Sequence, residues 1–196
     1  IGFLVRKYGL TIDDLLAAEI VTADGQIRHI DPDNYPDLFW AIRGGGGNFG
    51  VITSFEFQLH PVGPMILGGL LIWPRPQARD VLRLYRDFTA TAPENASAYA
   101  ALATSPEGAP VVVVVCFYHG QISEGERLLK PLRDFGPPMA DMVQPMPYTS
   151  FQRILDPMNP PGNRVYWKSA VLSGLDDAFM DTIIEHAEAV PSPMSA

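Results

Sequence analysis

Asp37-Leu38-Phe39-Trp40-Ala41-Ile42-Arg43-Gly44-Gly45-Gly46-Gly47-Asn48-Phe49-Gly50-Val51-Ile52-Thr53-Ser54-Phe55 is the stretch that decides the fold. Asp33 to Pro36 supply turn and helix-start chemistry, which predicts a short helix over Asp37 to Arg43 that the glycines end. From Phe49 to Leu59 the odd positions Phe49, Val51, Thr53, Phe55, Phe57 and Leu59 alternate with Ser54, Glu56 and Gln58, the period of a half-buried strand. Four glycines between helix and strand cost backbone entropy and add no packing, so they imply a special dihedral path or close approach to a ligand. The loop lacks the Lys-Ser/Thr ending of a P-loop. It also runs into a strand where a Gly-x-Gly-x-x-Gly dinucleotide loop requires a helix. A cofactor loop with bare N–H groups and a plain flexible connection both fit the composition.

Upstream, Leu15 to Ala23 and Gln26 to Ile30 flank Asp24-Gly25 and read as a hairpin with a type I′ turn. Downstream, Pro61, Gly63 and Pro64 mark a boundary that divides the chain into 1–62 and 63–196. Beyond it the pattern predicts a strand over Met65 to Trp73, a helix after Pro76 and a hairpin over 97–118 turning at Ser105 to Gly108. A helix opening at Ser123 with a Ser123/Glu126 capping box comes next, then a strand near Met139 to Val143. Pro147 to Leu155 reads as loop into short helix, Arg164 to Leu172 as strand-like, and Phe179, Met180, Ile183, Ile184 and Ala187 mark a last helix. The order β-α-β-β-α-β predicts an α+β fold, an antiparallel sheet with helices on one face.

The 196 residues are 47% hydrophobic and 18% charged, enough for one sizeable core or two small ones. A formal charge of -8 without a basic run argues against nucleic acid as a partner. The longest apolar run, Val111 to Tyr118, is too short to span a membrane. The chain starts at Ile1 without the pattern of a signal peptide, and its single cysteine allows a reducing compartment, so a cytoplasmic setting is the expectation. His29, His60, His119 and His186 lack metal-ligand spacing, so no metal is assigned. Cys116 lies in an apolar strand and reads as a buried hydrophobe. Asp176-Asp177 reads as a helix start.

Three ordered blocks, Gly2 to Leu10, Leu15 to Gly25 and Asp37 to Phe55, resemble the berberine-bridge-enzyme-like branch of the vanillyl-alcohol-oxidase/p-cresol-methylhydroxylase (PCMH) flavoproteins. The resemblance covers residues 1 to about 62. The remainder is looser and runs through Met146-Pro147-Tyr148-Thr149 and Tyr166-Trp167-Lys168-Ser169. It implies an internal piece: the second half of a PCMH-type FAD-binding domain (1–62), then an incomplete substrate domain (63–196). It further implies FAD as cofactor, oxidation of a small molecule such as an alcohol, sugar, amine or alkaloid, and molecular oxygen among the candidate acceptors. The isolated piece would then hold FAD weakly at most and be inactive. A non-catalytic binding domain that keeps the fold is the alternative reading.

Carried over by residue, the resemblance implies that Gly2 ends a glycine-rich segment near the flavin. Ile20 and Val21 would approach the adenine end through their main chain, and Asn48, Gly50 and Val51 would form the turn into a second FAD-contacting strand. Core packing is the competing reading for Ile20, Val21 and Val51. Asp14 stands where relatives usually carry Asn. In the second part Lys168, with Tyr166 and Ala170 on one side of the expected strand, is the active-site candidate: a cation there could favour anionic reduced flavin or hold a substrate oxygen. A strand lysine with its head in water is the competing reading. Ala170 occupies a position where some relatives carry a carboxylate or amide, and Tyr148 is a weaker candidate than Lys168.

Overall fold

The computed structural model describes residues 2–158, 161–162, 166 and 168–190. It divides into two units, Ile1–Pro61 and Val62–Ala196.

In the first unit a one-turn helix α1 (Val5–Tyr8) and a 3-10 turn (Thr11–Asp14) lead into strand β1 (Leu15–Val21). Strand β2 (Ile27–Ile30), helix α2 (Pro36–Ile42) and strand β3 (Val51–Phe57) follow, and the sheet order is β2-β1-β3, all antiparallel. The hairpin turn differs from the type I′ expected. That turn needs positive φ at both central residues, yet only Gly25 has it (φ 74), so the loop widens to Thr22–Gln26, closed by Gln26 C=O accepting from Thr22 N–H at 3.1 Å. Asp24 is held there by Thr22 and by both Arg28 guanidinium nitrogens, and these bonds push its carboxyl well below the usual range. Helix α2 lays Phe39 onto Leu15, Ala18, Ile20 and Ile30, with Leu38, Ile42, Phe49 and Ile52 at the margin.

Strand β3 departs from the simple alternation. Paired residues across a ladder share a face. Val51 pairs with Val21 and Ile52 with Ile20, but then Ser54 pairs with Glu19 and Phe55 with Ala18, because the register slips between Glu19 and Ile20. Thr53 is the extra residue of a bulge, so Phe55 and Phe57 lie on the α2 side and Val51 on the other. The expected single apolar face of odd residues is therefore split. Val51, Phe55 and Leu59 are all exposed.

In the second unit a sheet of order β5-β6-β4-β7 is built from β4 (Met65–Pro74), β5 (Ala96–Thr104), β6 (Pro110–Tyr118) and the two-residue β7 (Ala140–Asp141), with β8 (Gln144–Pro147) also paired to β4. All pairings are antiparallel. Helices α3 (Ala78–Thr91) and α4 (Ile122–Arg133) cover one face, on which Leu67, Leu71, Trp73, Ala96, Ala98, Val112, Val114, Cys116 and Tyr118 meet Val81, Phe88, Leu129 and Leu132. Helix α6 (Asp177–Glu188) adds Ile184 there and joins α3 through Asp177 with Arg83 and Arg86, and Asp181 with Arg79. The mixed helix and antiparallel-sheet class is as expected. The single-turn helix α5 (Tyr148–Phe151) lays Phe151 over Gly68 on the opposite face, where a methyl on Gly68 would meet the ring at 2.7 Å.

Two expectations fail in this unit. Helix α4 begins one residue early, with Gln121 at its N-cap and no side-chain cap bond, so the Ser123/Glu126 capping box does not form; nearby, Glu124 accepts instead from the Tyr118 hydroxyl at 3.0 Å. Residues 166 and 168–172 carry no strand; positions 164, 165 and 167 lie outside the described residues. Alternation supplies a pattern but no ladder partner, and the described residues of this stretch are exposed and pair with none of the sheet's strands.

Candidate functional site

The glycine stretch folds as a short connection whose dihedral path only glycine follows easily. Gly44 and Gly46 have positive φ, and Gly46–Asn48 forms a 3-10 turn. The Asn48 side chain donates back to Gly45 C=O at 2.7 Å and closes the loop on itself. At Gly50 (φ 149) the chain presses on β1: a methyl there would sit 2.9 Å from Ile20 Cγ1 and closer still to the Val21 carbonyl oxygen. Gly44, Gly46 and Gly47 instead border open space.

The site residues named in this unit fall into two groups. Ile20, Val21, Gly50 and Val51 come together at one end of the β1–β3 ladder, and Asn48 is in the loop that feeds it. The Ile20 side chain is fully buried under α2, so only its main chain could reach a ligand. Val21 is half-buried and Val51 is 69% exposed, on the sheet face away from α2. Ile27 pairs with Val21 and is also exposed, so Ile27, Val21 and Val51 form one apolar row across three strands. Ile27 escaped the sequence reading: counting outward from a two-residue Asp24-Gly25 turn sets it opposite Thr22, and only the wider Thr22–Gln26 loop brings it opposite Val21. Gly2 is exposed and accepts from Val5 N–H at 3.2 Å.

A second set of contacts gathers behind the loop. Arg43, the residue before the glycines, donates to Ile12 C=O at 3.2 Å and to Asp13 at 3.4 Å, with its guanidinium over the Phe39 ring. Asp14 pairs with His60 Nε2 at 2.7 Å, and the imidazole stacks on Tyr8 at 4.0 Å between centroids.

In the second unit Lys168 and Tyr166 are both exposed, Tyr166 at 85%. No strand presents them with Ala170 on a shared side. Tyr148 lies against Phe117, 5.6 Å between ring centroids, and Phe117 also meets Phe151 and the buried His119. On the same face of β5, burial raises the Tyr99 hydroxyl above its ordinary pKa, and its neighbours Tyr85 and Tyr148 add to the shift. Cys116 is fully buried and burial pushes its thiol up to about 12, which leaves it a packing residue. Among the described residues no group of three His, Cys, Asp or Glu side chains could hold a metal, and no helix is long and apolar enough to cross a membrane.

No protein-family model matches the chain. It is 32% identical over 184 residues to an FAD-linked oxidoreductase of Dictyostelium discoideum, covering 94% of this chain and 40% of the relative. It is 34% identical over 146 residues to (R)-6-hydroxynicotine oxidase of Paenarthrobacter nicotinovorans, covering 73% of this chain and 32% of that enzyme. The crystal structure of 6-hydroxy-D-nicotine oxidase from Arthrobacter nicotinovorans superposes with a TM-score of 0.72 at 29% identity, over 83% of this chain and 36% of the other. Over nearly all of its length the chain is similar to FAD-linked oxidoreductases. Its fold is also that of Physcomitrella patens BBE-like 1, with a TM-score of 0.74 at 23% identity over 96% of this chain and 44% of the other. The resemblance drawn from the three sequence blocks is thereby borne out. The chain spans about 40% of the length of the Dictyostelium relative.

Proposed function

We propose that residues 1–62 form the C-terminal part of an FAD-binding domain, and that residues 63–196 belong to the substrate-binding domain of an oxidoreductase acting on a small molecule. The observation that carries this is the ladder end at Gly50. There a glycine-only approach to Val21 adjoins an uncovered loop backbone and an exposed apolar row of Ile27, Val21 and Val51. Bare main chain suits phosphate and ring-edge hydrogen bonding, and a flat apolar row suits an aromatic ring system, so these residues fit FAD.

When bound, FAD supplies a two-electron acceptor for the substrate's hydride equivalent. In this reading Asn48, Gly50 and Val51 hold the cofactor from the loop side, while Ile20 and Val21 do so through main chain. Gly2 borders it from the first segment. In the second unit the exposed Lys168 and Tyr166 would offer a cation and a hydroxyl to a substrate oxygen. The substrate class, an alcohol, sugar, amine or alkaloid-like molecule, is supported by the identity to an enzyme that oxidises 6-hydroxynicotine; oxygen as acceptor rests on the same relative's name as an oxidase.

The test is the visible spectrum of the full-length protein as purified and after incubation with FAD. A flavin spectrum that bleaches on adding a member of one of these substrate classes is the expected result. A folded protein that stays colourless refutes the proposal and favours a binding domain that keeps the fold.

A further inference from the structure

Residues 12–14 occupy an unusual place in the first unit: they grip both ends of the glycine-loop and β3 segment. Upstream of the loop, Arg43 donates to Ile12 C=O and Asp13. Beyond the strand, His60 pairs with Asp14 at 2.7 Å, both side chains part-buried, while Gln58 N–H donates to Asp14 C=O at 2.8 Å. Tyr8 stacks on the same imidazole with an interplanar angle of 12°, so α1 shares the clamp. The Gln58–Asp14 main-chain bond continues the β1–β3 ladder past Leu15 and Phe57, whereas the Arg43, His60 and Tyr8 side-chain contacts lie outside the ladders and the Phe39 core.

The segment between the two grips contains four consecutive glycines, the residues that lose most conformational freedom when ordered. A ligand that must order such a loop binds more weakly by that entropy, and contacts that order it beforehand recover the affinity. We propose that Asp14 is a positioning residue: through His60, and beside the Ile12–Asp13 anchor of Arg43, it preorders the glycine loop and β3 for the cofactor. This rests on the reading that Asn48, Gly50 and Val51 face FAD. A carboxylate is suited to the task because a charge-assisted bond to imidazole is shorter and stronger than a neutral one.

The test uses the full-length protein expressed as wild type, Asp14→Ala, Asp14→Asn and His60→Phe. His60→Phe keeps an aromatic ring to stack on Tyr8 and removes only the bond to Asp14, so it guards against a variant that fails to fold. The readouts are the FAD-to-protein ratio after gel filtration at limiting FAD, the visible circular dichroism of the bound flavin, and the thermal midpoint without added FAD. Asp14→Ala and His60→Phe are expected to retain less than about a third of the wild-type flavin with an altered flavin dichroism, and Asp14→Asn, which still accepts from imidazole, to restore most of both. Wild-type flavin content and dichroism in Asp14→Ala and His60→Phe, with only the thermal midpoint lowered, would overturn the proposal and leave the clamp a structural one. A wild-type protein that retains no flavin would instead refute the FAD reading on which it rests.

Discussion

Replacing Gly50 by alanine perturbs the ladder end at which the cofactor is placed, and the structure fixes the size of the effect. An alanine there must adopt φ near 149, a region L-residues avoid at a cost of about 1–3 kcal/mol. Its methyl also enters the space of the Val21 carbonyl and lies 2.9 Å from Ile20 Cγ1. Neither neighbour yields easily, since Val21 is held in the β1 ladder and Ile20 is fully buried; overpacking of this kind costs about 1–3 kcal/mol more. The combined loss of about 2–6 kcal/mol lowers the midpoint of the first unit's transition, which spans Ile1–Pro61, by about 4–8 °C per kcal/mol, read by scanning calorimetry. Gly47→Ala is the control. Its φ of −78 suits any residue and its Cβ would meet nothing within 4 Å, so its midpoint should stay within about 4 °C of wild type. Equal midpoints for the two variants would refute the claim that Gly50 is held by contact with β1 and by its dihedral.

Asp177 is depressed below the usual carboxylate range by its bonds to Arg83 and Arg86. A lowered folded pKa adds stability that is present above the unfolded value, about 3.9, and is lost as pH falls through the folded one. Asp177→Asn should therefore lower the midpoint at pH 7, and its deficit should shrink as pH falls below about 4 in thermal melts; parallel curves would contradict the pairing. The Cys116 thiol, buried and shifted upward, should react with an aromatic disulfide reagent only after denaturation, and stoichiometric labelling of the native protein would show that the strand opens.

The elements set by strong local chemistry were legible from sequence. The 97–118 hairpin turns where Ser105 and Gly108 said it would, with Gly108 N–H donating to Ser105 C=O, and Asp176 caps the last helix by accepting from Phe179 N–H. What misled the reading was geometry that only a partner strand or competing bond decides. A bulge opposite Glu19 and Ile20 reverses the facing of β3 beyond Thr53, and no periodicity in β3 alone reveals a slip in the ladder. The Ser123/Glu126 pattern lost to a helix that starts at Ile122, and the Arg164–Leu172 alternation lacked a strand to pair with in its described part. For the candidate site, Ile20, Val21, Asn48, Gly50 and Val51 were named from the sequence blocks, whereas the packing of Gly50 on Val21 and the His60–Asp14 contact, which joins residues 46 positions apart, needed coordinates.

Strand β6 is buried on both faces from Val111 to Tyr118 and hydrogen-bonded on both edges, to β4 and β5. Its amides can meet solvent only when the whole second unit opens, so their exchange with deuterium reports global unfolding of that unit, and the slowest protons of Val112 to Phe117 give a stability reading independent of any heat or denaturant ramp.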